Sequence, residues 1–332
     1  MLRPQTATPL PQPLGDWYGL LTASDPATAT VPPPLERTFD PAWVEATARE
    51  HGLERMGIRP ALGPYIAELW RRRTFIRVLS VSKAQVANQN TYLGQVWALI
   101  TPILNAAVYI AIFGFILGVG REGIANTPAF IVVGVFMFRF FEASLRAGAK
   151  SIKSNMNLVR SVHFPRAVLP IAGVAAELTT LGPALVVMCV IAYLSGLMPN
   201  EGDVPLAWRW FLLIPAVLLM WAFSTGCAFI MARLVAQTPD IENLIPFATR
   251  LLMYASGVIF SIDHFLGGFS WGWILQYQPV AVYLGLARAS ILNEPAYPLD
   301  LVMWLVGLGW GVLFLAGGFL FFWRGEESYG RN

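Results

Sequence analysis

Apolar residues run almost unbroken through six stretches of this 332-residue chain, near 95–117, 128–147, 168–194, 211–235, 244–261 and 300–323. About 20 helical residues cross roughly 30 Å of hydrocarbon, so each stretch is predicted to be a transmembrane helix. Two shorter apolar pieces, about 265–275 and 279–292, lie between the fifth and sixth stretches and are broken by Pro279. They are too short to cross, and are expected to dip into the bilayer and return or to lie flat. The expected fold class is therefore an all-α polytopic membrane protein with six spans and short re-entrant helices.

A different pattern precedes the first span. Leu62, Tyr65, Ile66, Leu69, Ile76 and Leu79 recur at helical steps, with Arg71, Arg72, Arg73 and Arg77 set against them. That spacing predicts an amphipathic helix in the membrane surface, its arginine stems reaching anionic headgroups. Further upstream, residues 1–41 contain nine prolines and read as a disordered or polyproline arm. No basic start with an apolar core behind it marks a signal peptide. A short helix is expected after the arm, capped by Asp40 and stopped at Gly57. The chain thus divides into an arm and short helix (1–60), an interface helix with its lead-in (61–93), the spans (94–323) and a tail (324–332).

Basic residues orient the spans. With the amino terminus inside, thirteen Lys and Arg residues flank the cytoplasmic ends, among them Arg146, Lys150, Lys153, Arg160, Arg166 and Arg233. Only Arg121, Arg209 and Arg288 fall outside. This bias, with an even number of spans, places both termini in the cytoplasm. Trp208, Trp210, Trp271, Trp273, Trp304 and Trp323 cluster near span ends as an aromatic belt would.

Composition excludes soluble classes: 56% of residues are apolar and only 13% charged. A formal charge of +3 without a basic tract gives no reason to expect nucleic acid. Cys189 and Cys227 both sit in apolar runs, so no disulfide or Cys-based metal site is expected. Phosphate-cradling glycines accompany none of the three lysines, Lys83, Lys150 and Lys153. His51, His163 and His264 are scattered, without spacing for a metal or a catalytic triad. The chain is expected to hold no cofactor and to be no enzyme.

Charges inside spans are costly and mark pathways or internal pairs. Arg139 and Glu142, three residues apart, can pair on one helix face. Glu177 and Arg250 have no local partner, and either meet across helices or face a water-filled lumen.

The loop 146–166, RAGAKSIKSNMNLVRSVHFPR, is basic and polar, with a helical centre ending before Phe164-Pro165. The run Asn157-Leu158-Val159-Arg160 through Phe164-Pro165-Arg166 resembles the coupling helix of type-2 ABC exporter permeases for O-antigen, teichoic acid and mycobacterial galactan. Leu93-Gly94-Gln95-Val96-Trp97 with Pro102 looks like that family's entry to its first span. Asp240-Ile241 and Tyr254-Ala255-Ser256-Gly257-Val258-Ile259-Phe260 are similar to its fourth-to-fifth-span loop and fifth span. Gln278-Pro279 and Arg288 lie where the family has re-entrant outer segments. The resemblance runs in order from about 62 to 323. It departs at Ala87-Asn88, where the family has Arg-Tyr, at Gly257, where a proline is frequent, and at Gln278, where Asn is usual. The proline-rich arm and the Ala, Arg and Trp usage tilt the reading towards the galactan branch.

The resemblance implies a permease in the bacterial inner membrane that pairs with a second copy of itself. Two copies of a separate ATPase subunit, which bind ATP and Mg, would drive it. Ser151, Asn155, Asn157, Leu158 and Arg160 would dock into the ATPase. The cargo would be a polyprenyl-pyrophosphate-linked polysaccharide, its headgroup met by Arg71, Arg72, Arg73 and Arg77. A long polymer needs a continuous lumen in which aromatic faces let sugar rings slide, and Tyr109, Phe113, Phe136, Phe140, Tyr254 and Phe260 are the candidates.

Two other classes remain open. A proton-coupled carrier would make Glu177 and Arg250 essential. A membrane glycosyltransferase would need an outer acidic pair, for which Asp263 and Glu294 are available.

Overall fold

The computed structural model describes residues 60–86, 92–112, 123–162, 164–199, 201–262, 264, 272–292, 294 and 297–329. The arm, the helix expected after Asp40, Phe113 and Asp263 lie outside these residues. The amphipathic stretch folds as two helices, α1 (Leu62–Arg71) and α2 (Arg73–Val86), separated at Arg72. After Gly94, which takes a left-handed φ of 50°, comes α3 (Trp97–Tyr109).

The next helix, α4 (Thr127–Lys150), starts sharply because Asn126 accepts the Ala129 N–H on its side chain and Pro128 presets the first turn. A 3-10 turn at Lys153–Asn155 leads into the one-and-a-half-turn α5 (Met156–Ser161). There follow α6 (Val168–Ser195), a 3-10 turn at Trp208–Leu212, α7 (Leu213–Gln237) and α8 (Ile241–Ala255). The last three are α9 (Gly272–Gln276), α10 (Pro279–Ile291) and α11 (Leu301–Arg324), the last capped by Asp300.

Among the described residues four segments are long and apolar enough to span a bilayer: α4, α6, Trp208–Gln237 and α11. Six were expected from the apolar pattern. Of the other two, α3 belongs to an apolar helix described only as far as Ile112. The 15 residues of α8 make about 22 Å of helix, short of a hydrocarbon core. Its shortness has a local cause: Gly257 adopts a left-handed φ of 65°, so Val258 and Ile259 leave the helix and are buried in the main core. The shorter apolar piece 279–292 folds as a 13-residue helix, α10, buried along its length.

At the centre stands α4, packed against α6, α7 and α10, with α11 closing on α7. That last pair meets through Gly226 and Gly318: a Cβ on either would collide with the backbone of the other helix. In lipid, where water gives little drive between helices, such backbone contact supplies dispersion attraction. A second, smaller core lies at the end of the bundle that carries α1 and α5, built from Tyr65, Ile152, Val159, Phe164, Phe229 and Phe322. It joins α1, the loop before α6, and the ends of α7 and α11.

Candidate functional site

Between α3, α4 and α6 lies a cavity of about 270 Å³ that holds Arg139 and Glu177. Trp97, Phe136 and Phe140 supply aromatic wall, and Thr101, Asn105 and Thr180 supply polar groups. A second cavity of about 230 Å³, lined by Tyr109, Phe138, Glu142, Met253 and Val258, shares Arg139 with the first. Arg139 therefore stands on the partition between two hollows at mid-helix depth. Phe136 and Phe140 turn most of their surface into the core, leaving only 4% exposed each, so they offer the cavity little of their area.

Arg139 and Glu142 do not pair. Glu142 instead accepts from Arg146 at 2.6 Å and from the Thr249 hydroxyl at 3.2 Å. A Glu bonds better to an Arg four residues on, towards the negative end of the helix, than to one three residues back. Arg139 is left without an ion pair among the described residues, and Glu177 shares its cavity without reaching it. Arg250 is exposed on α8 and does not meet Glu177. Tyr254, half exposed, and Phe260 line neither hollow.

Charged residues continue down α4 to the loop. Lys150 and Lys153 hold their ammonium groups 3.6 Å from the two carboxylate oxygens of Glu242, at the start of α8. This seam of Glu142, Thr249, Lys150, Lys153 and Glu242 fixes α8 against α4 and the loop below it.

In the loop the five residues expected to dock a partner divide. Asn157 and Arg160 are exposed, and Asn155 is partly so while its amide donates to the Ser151 carbonyl at 2.7 Å. Ser151 is 1% exposed and its hydroxyl is buried, so it cannot touch a docked subunit in this arrangement. Leu158 is half-buried and packs on the smaller core. Helical periodicity explains this: in a short helix on a protein surface, Val159 and Leu158 must turn inward for α5 to be held at all.

Glu326, beyond the last span, ties three parts of the chain together. Its carboxylate accepts from the Tyr65 hydroxyl at 2.8 Å and from the Arg166 backbone N–H at 2.9 Å. The Arg166 guanidinium donates to the Glu326 carbonyl, and the Tyr65 oxygen accepts the Ala167 N–H at 3.1 Å. Burial raises the Glu326 carboxyl above the usual carboxylate range, and the Arg166 N–H and Tyr65 hydroxyl oppose that shift. Burial also raises Tyr65, as does the neighbouring carboxylate, which keeps its hydroxyl a donor. Beside this junction is a cavity of about 450 Å³ whose cationic lining is Arg71, Arg72 and Arg166. Arg73 stacks over Trp70 at 5.6 Å, and neither it nor Arg77 lines the cavity.

On the opposite side Arg288, expected as an outer-loop cation, is 1% exposed. Its guanidinium donates to the carbonyls of Gly257 at 2.9 Å and Val258 at 2.8 Å. Glu294 is buried too, and accepts the backbone N–H groups of Ala125 and Asn126, both at 2.7 Å. A carboxylate committed to the start of α4 is a cap, which removes it as half of an outer acidic pair.

The profile of the ABC-2 type transporter family matches residues 74–292. The chain belongs to that family. The O-antigen export system permease protein RfbA of Klebsiella pneumoniae is 26% identical over 216 residues, 65% of this chain and 79% of the relative. RfbA of Myxococcus xanthus is 25% identical over 198 residues, covering 60% and 72%. The polysialic acid transport protein KpsM of Escherichia coli is 22% identical over 205 residues, covering 62% and 75%. With its four long apolar helices, this ABC-2 protein is an integral membrane protein. The matched region of the ABC-2 chain contains both mid-helix cavities, the 151–161 loop and α10, whereas α1 and the Glu326 tail lie beyond it.

Sequence reading missed Trp97, Asn105 and Thr180 in the first cavity, and Tyr65, Arg166 and Glu326 at the junction. One signal was available for the cavity: Thr101 and Asn105 stand four residues apart in an apolar run, and the Asn105 amide donates to the Thr101 carbonyl at 2.6 Å. For the junction there was only a Glu after a span, which its location alone makes unremarkable.

Proposed function

We propose that this chain is the membrane permease of an ATP-driven exporter, which moves a lipid-linked polysaccharide from the cytoplasm across the inner membrane. The observation that carries the reading is the pair of cavities meeting at Arg139, in a family whose matched relatives are named for O-antigen export and polysialic acid transport. Aromatic walls beside Thr, Asn and two separate charged side chains suit a sugar chain, because C–H faces slide along rings while hydroxyls exchange partners. Two copies of the chain would form the lumen about a two-fold axis, with the helix of α3 as the first crossing and α8 together with the non-helical residues that follow Gly257 as the fifth. The apolar pieces around α9 and α10 would then be re-entrant, and both termini cytoplasmic. Two copies of an ATPase subunit would dock on the exposed side of the 153–161 segment, at Asn157 and Arg160. The galactan reading rests on the earlier resemblance; the relatives support an O-antigen-like polymer equally.

In inverted vesicles containing the permease and its ATPase, Arg139→Met and Glu177→Gln should each lower ATP-dependent glycan translocation severalfold while the complex still assembles. Undiminished translocation in both would reject the glycan path. Translocation by the permease without the ATPase would favour the proton-coupled alternative.

A further inference from the structure

We propose that the 450 Å³ cavity between α1 and the segment ending at Arg166 seats the phosphate group of a lipid, and that its occupancy is felt by the ATPase through α5. This deepens the reading of a lipid-linked cargo and rests on it. The cavity has two kinds of wall. Pro60, Pro64, Ala67, Val162, Phe164 and Pro165 offer apolar surface, and Arg71, Arg72 and Arg166, the last with its guanidinium on the Glu326 carbonyl, are the cationic residues of the same lining. Such a composition suits an amphiphile whose charged head and first carbons enter together, and suits a fully hydrated anion poorly.

Two carboxylates share the lining, and both are committed elsewhere. Glu68 is paired with the Arg72 Nε at 2.8 Å, which leaves the terminal nitrogens of Arg72 for a ligand. Glu326 has one oxygen on the Tyr65 hydroxyl and the other on the Arg166 N–H. Three guanidinium groups against two carboxylates leave the cavity cationic by one even with both ionised. Arg71 is exposed on α1 beside Trp70, which is 71% exposed and suited to an interfacial depth, so the mouth lies where a lipid phosphate travels.

The coupling follows from who owns the walls. Val159 and Val162 belong to or adjoin α5, and Phe164 stacks edge-on with Phe75 of α2 at 5.8 Å. A ligand wedged between α1 and this segment cannot enter without biasing the position of α5, whose other face carries Asn157 and Arg160. Differential contact of that kind is what shifts an equilibrium between two arrangements.

The test uses the purified permease–ATPase complex, with farnesyl diphosphate as the soluble isoprenoid probe. Inorganic pyrophosphate is one comparison, and phosphatidylcholine vesicles with and without phosphatidylglycerol are the other. Binding and the ATPase rate, relative to each sample's unstimulated rate, are measured for wild type, for Arg71→Gln with Arg72→Gln, and for Ala67→Trp, which fills the cavity and keeps its charges. Farnesyl diphosphate should bind and stimulate wild type. Each variant should bind it at least about tenfold more weakly, about 1.4 kcal/mol, and lose the stimulation. Stimulation by phosphatidylglycerol through the same arginines would support the lipid-phosphate seat and name bulk phospholipid as its occupant. Variants that respond like wild type would overturn the seat while leaving a lipid-linked cargo standing. A wild type that binds no isoprenoid diphosphate would overturn both. Pyrophosphate binding as tightly as farnesyl diphosphate would overturn the lipid half of the proposal.

Discussion

The guanidinium carbon of Arg288 sits 3.4 Å from the centre of the Phe130 ring, a cation laid on an aromatic face deep inside the α4–α10 contact. Burying a charge here is tolerated because the carbonyls of Gly257 and Val258 accept from it. Those carbonyls are available only because the chain leaves helix at Gly257, so the short α8 and the buried Arg288 are one arrangement. Gly134 makes room for it: a Cβ there would stand 2.5 Å from an Arg288 nitrogen and 2.6 Å from the Val258 oxygen.

Gly134→Ala should therefore destabilise the protein by about 1–3 kcal/mol, the usual cost of overpacking, although alanine is the better helix former. Thermal unfolding in detergent would measure it, and an unchanged or higher melting temperature would show that the arginine moves aside freely.

Glu326 gives a pH dependence with a definite sign. Its folded-state pKa lies above the ordinary carboxylate value, so its contribution to the junction is fully present below that ordinary value and is lost as pH rises through the raised one. The groups facing it are Tyr65, Arg166 and Tyr329, and the first and last keep their protons throughout this range. Hydrogen exchange of the α1 and Ala167–Leu169 amides should slow as pH falls from about 8 towards 5, after correction for intrinsic exchange. Glu326→Gln should flatten that dependence. A wild-type profile without slope would remove Glu326 as its source.

Lys150 and Lys153 bracket Glu242 at 3.6 Å, in a partly exposed setting where such pairs contribute less than about 1 kcal/mol. Glu242→Lys should accordingly shift the melting temperature little, yet loosen α8 from the loop and lower export. Adding Lys150→Glu should restore export if the pairing matters. Failure of the double variant to recover would mean that Glu242 acts through some other contact.

How much was legible beforehand can be judged element by element. The stretches near 128–147, 168–194, 211–235 and 300–323 correspond to α4, α6, α7 and α11, because a long apolar run in lipid has no alternative to satisfying its own backbone as helix. The stretch 244–261 reads as equally apolar, but its last residues leave the helix to meet an arginine about 30 residues later, which no local window contains. Arg288 and Glu294 looked like outer-surface charges for the same reason: a side chain's burial depends on what folds over it. Arg139 and Glu142 looked like partners by spacing, yet Arg146 competed for the same carboxylate one turn on and Thr249 reached it from another helix.

The sequence by itself determined that the chain enters a membrane and which four long apolar stretches become helices able to cross one. These are properties of hydropathy, read within a few turns of chain. Only the tertiary structure decided that Arg139 stands between two hollows and that Ser151 faces inward. It alone joined Tyr65 to Glu326 across 261 residues of chain. Hydrogen bonds and buried charges depend on positions a few ångströms apart in space, and separation along the chain says nothing about such distances until the helices have packed.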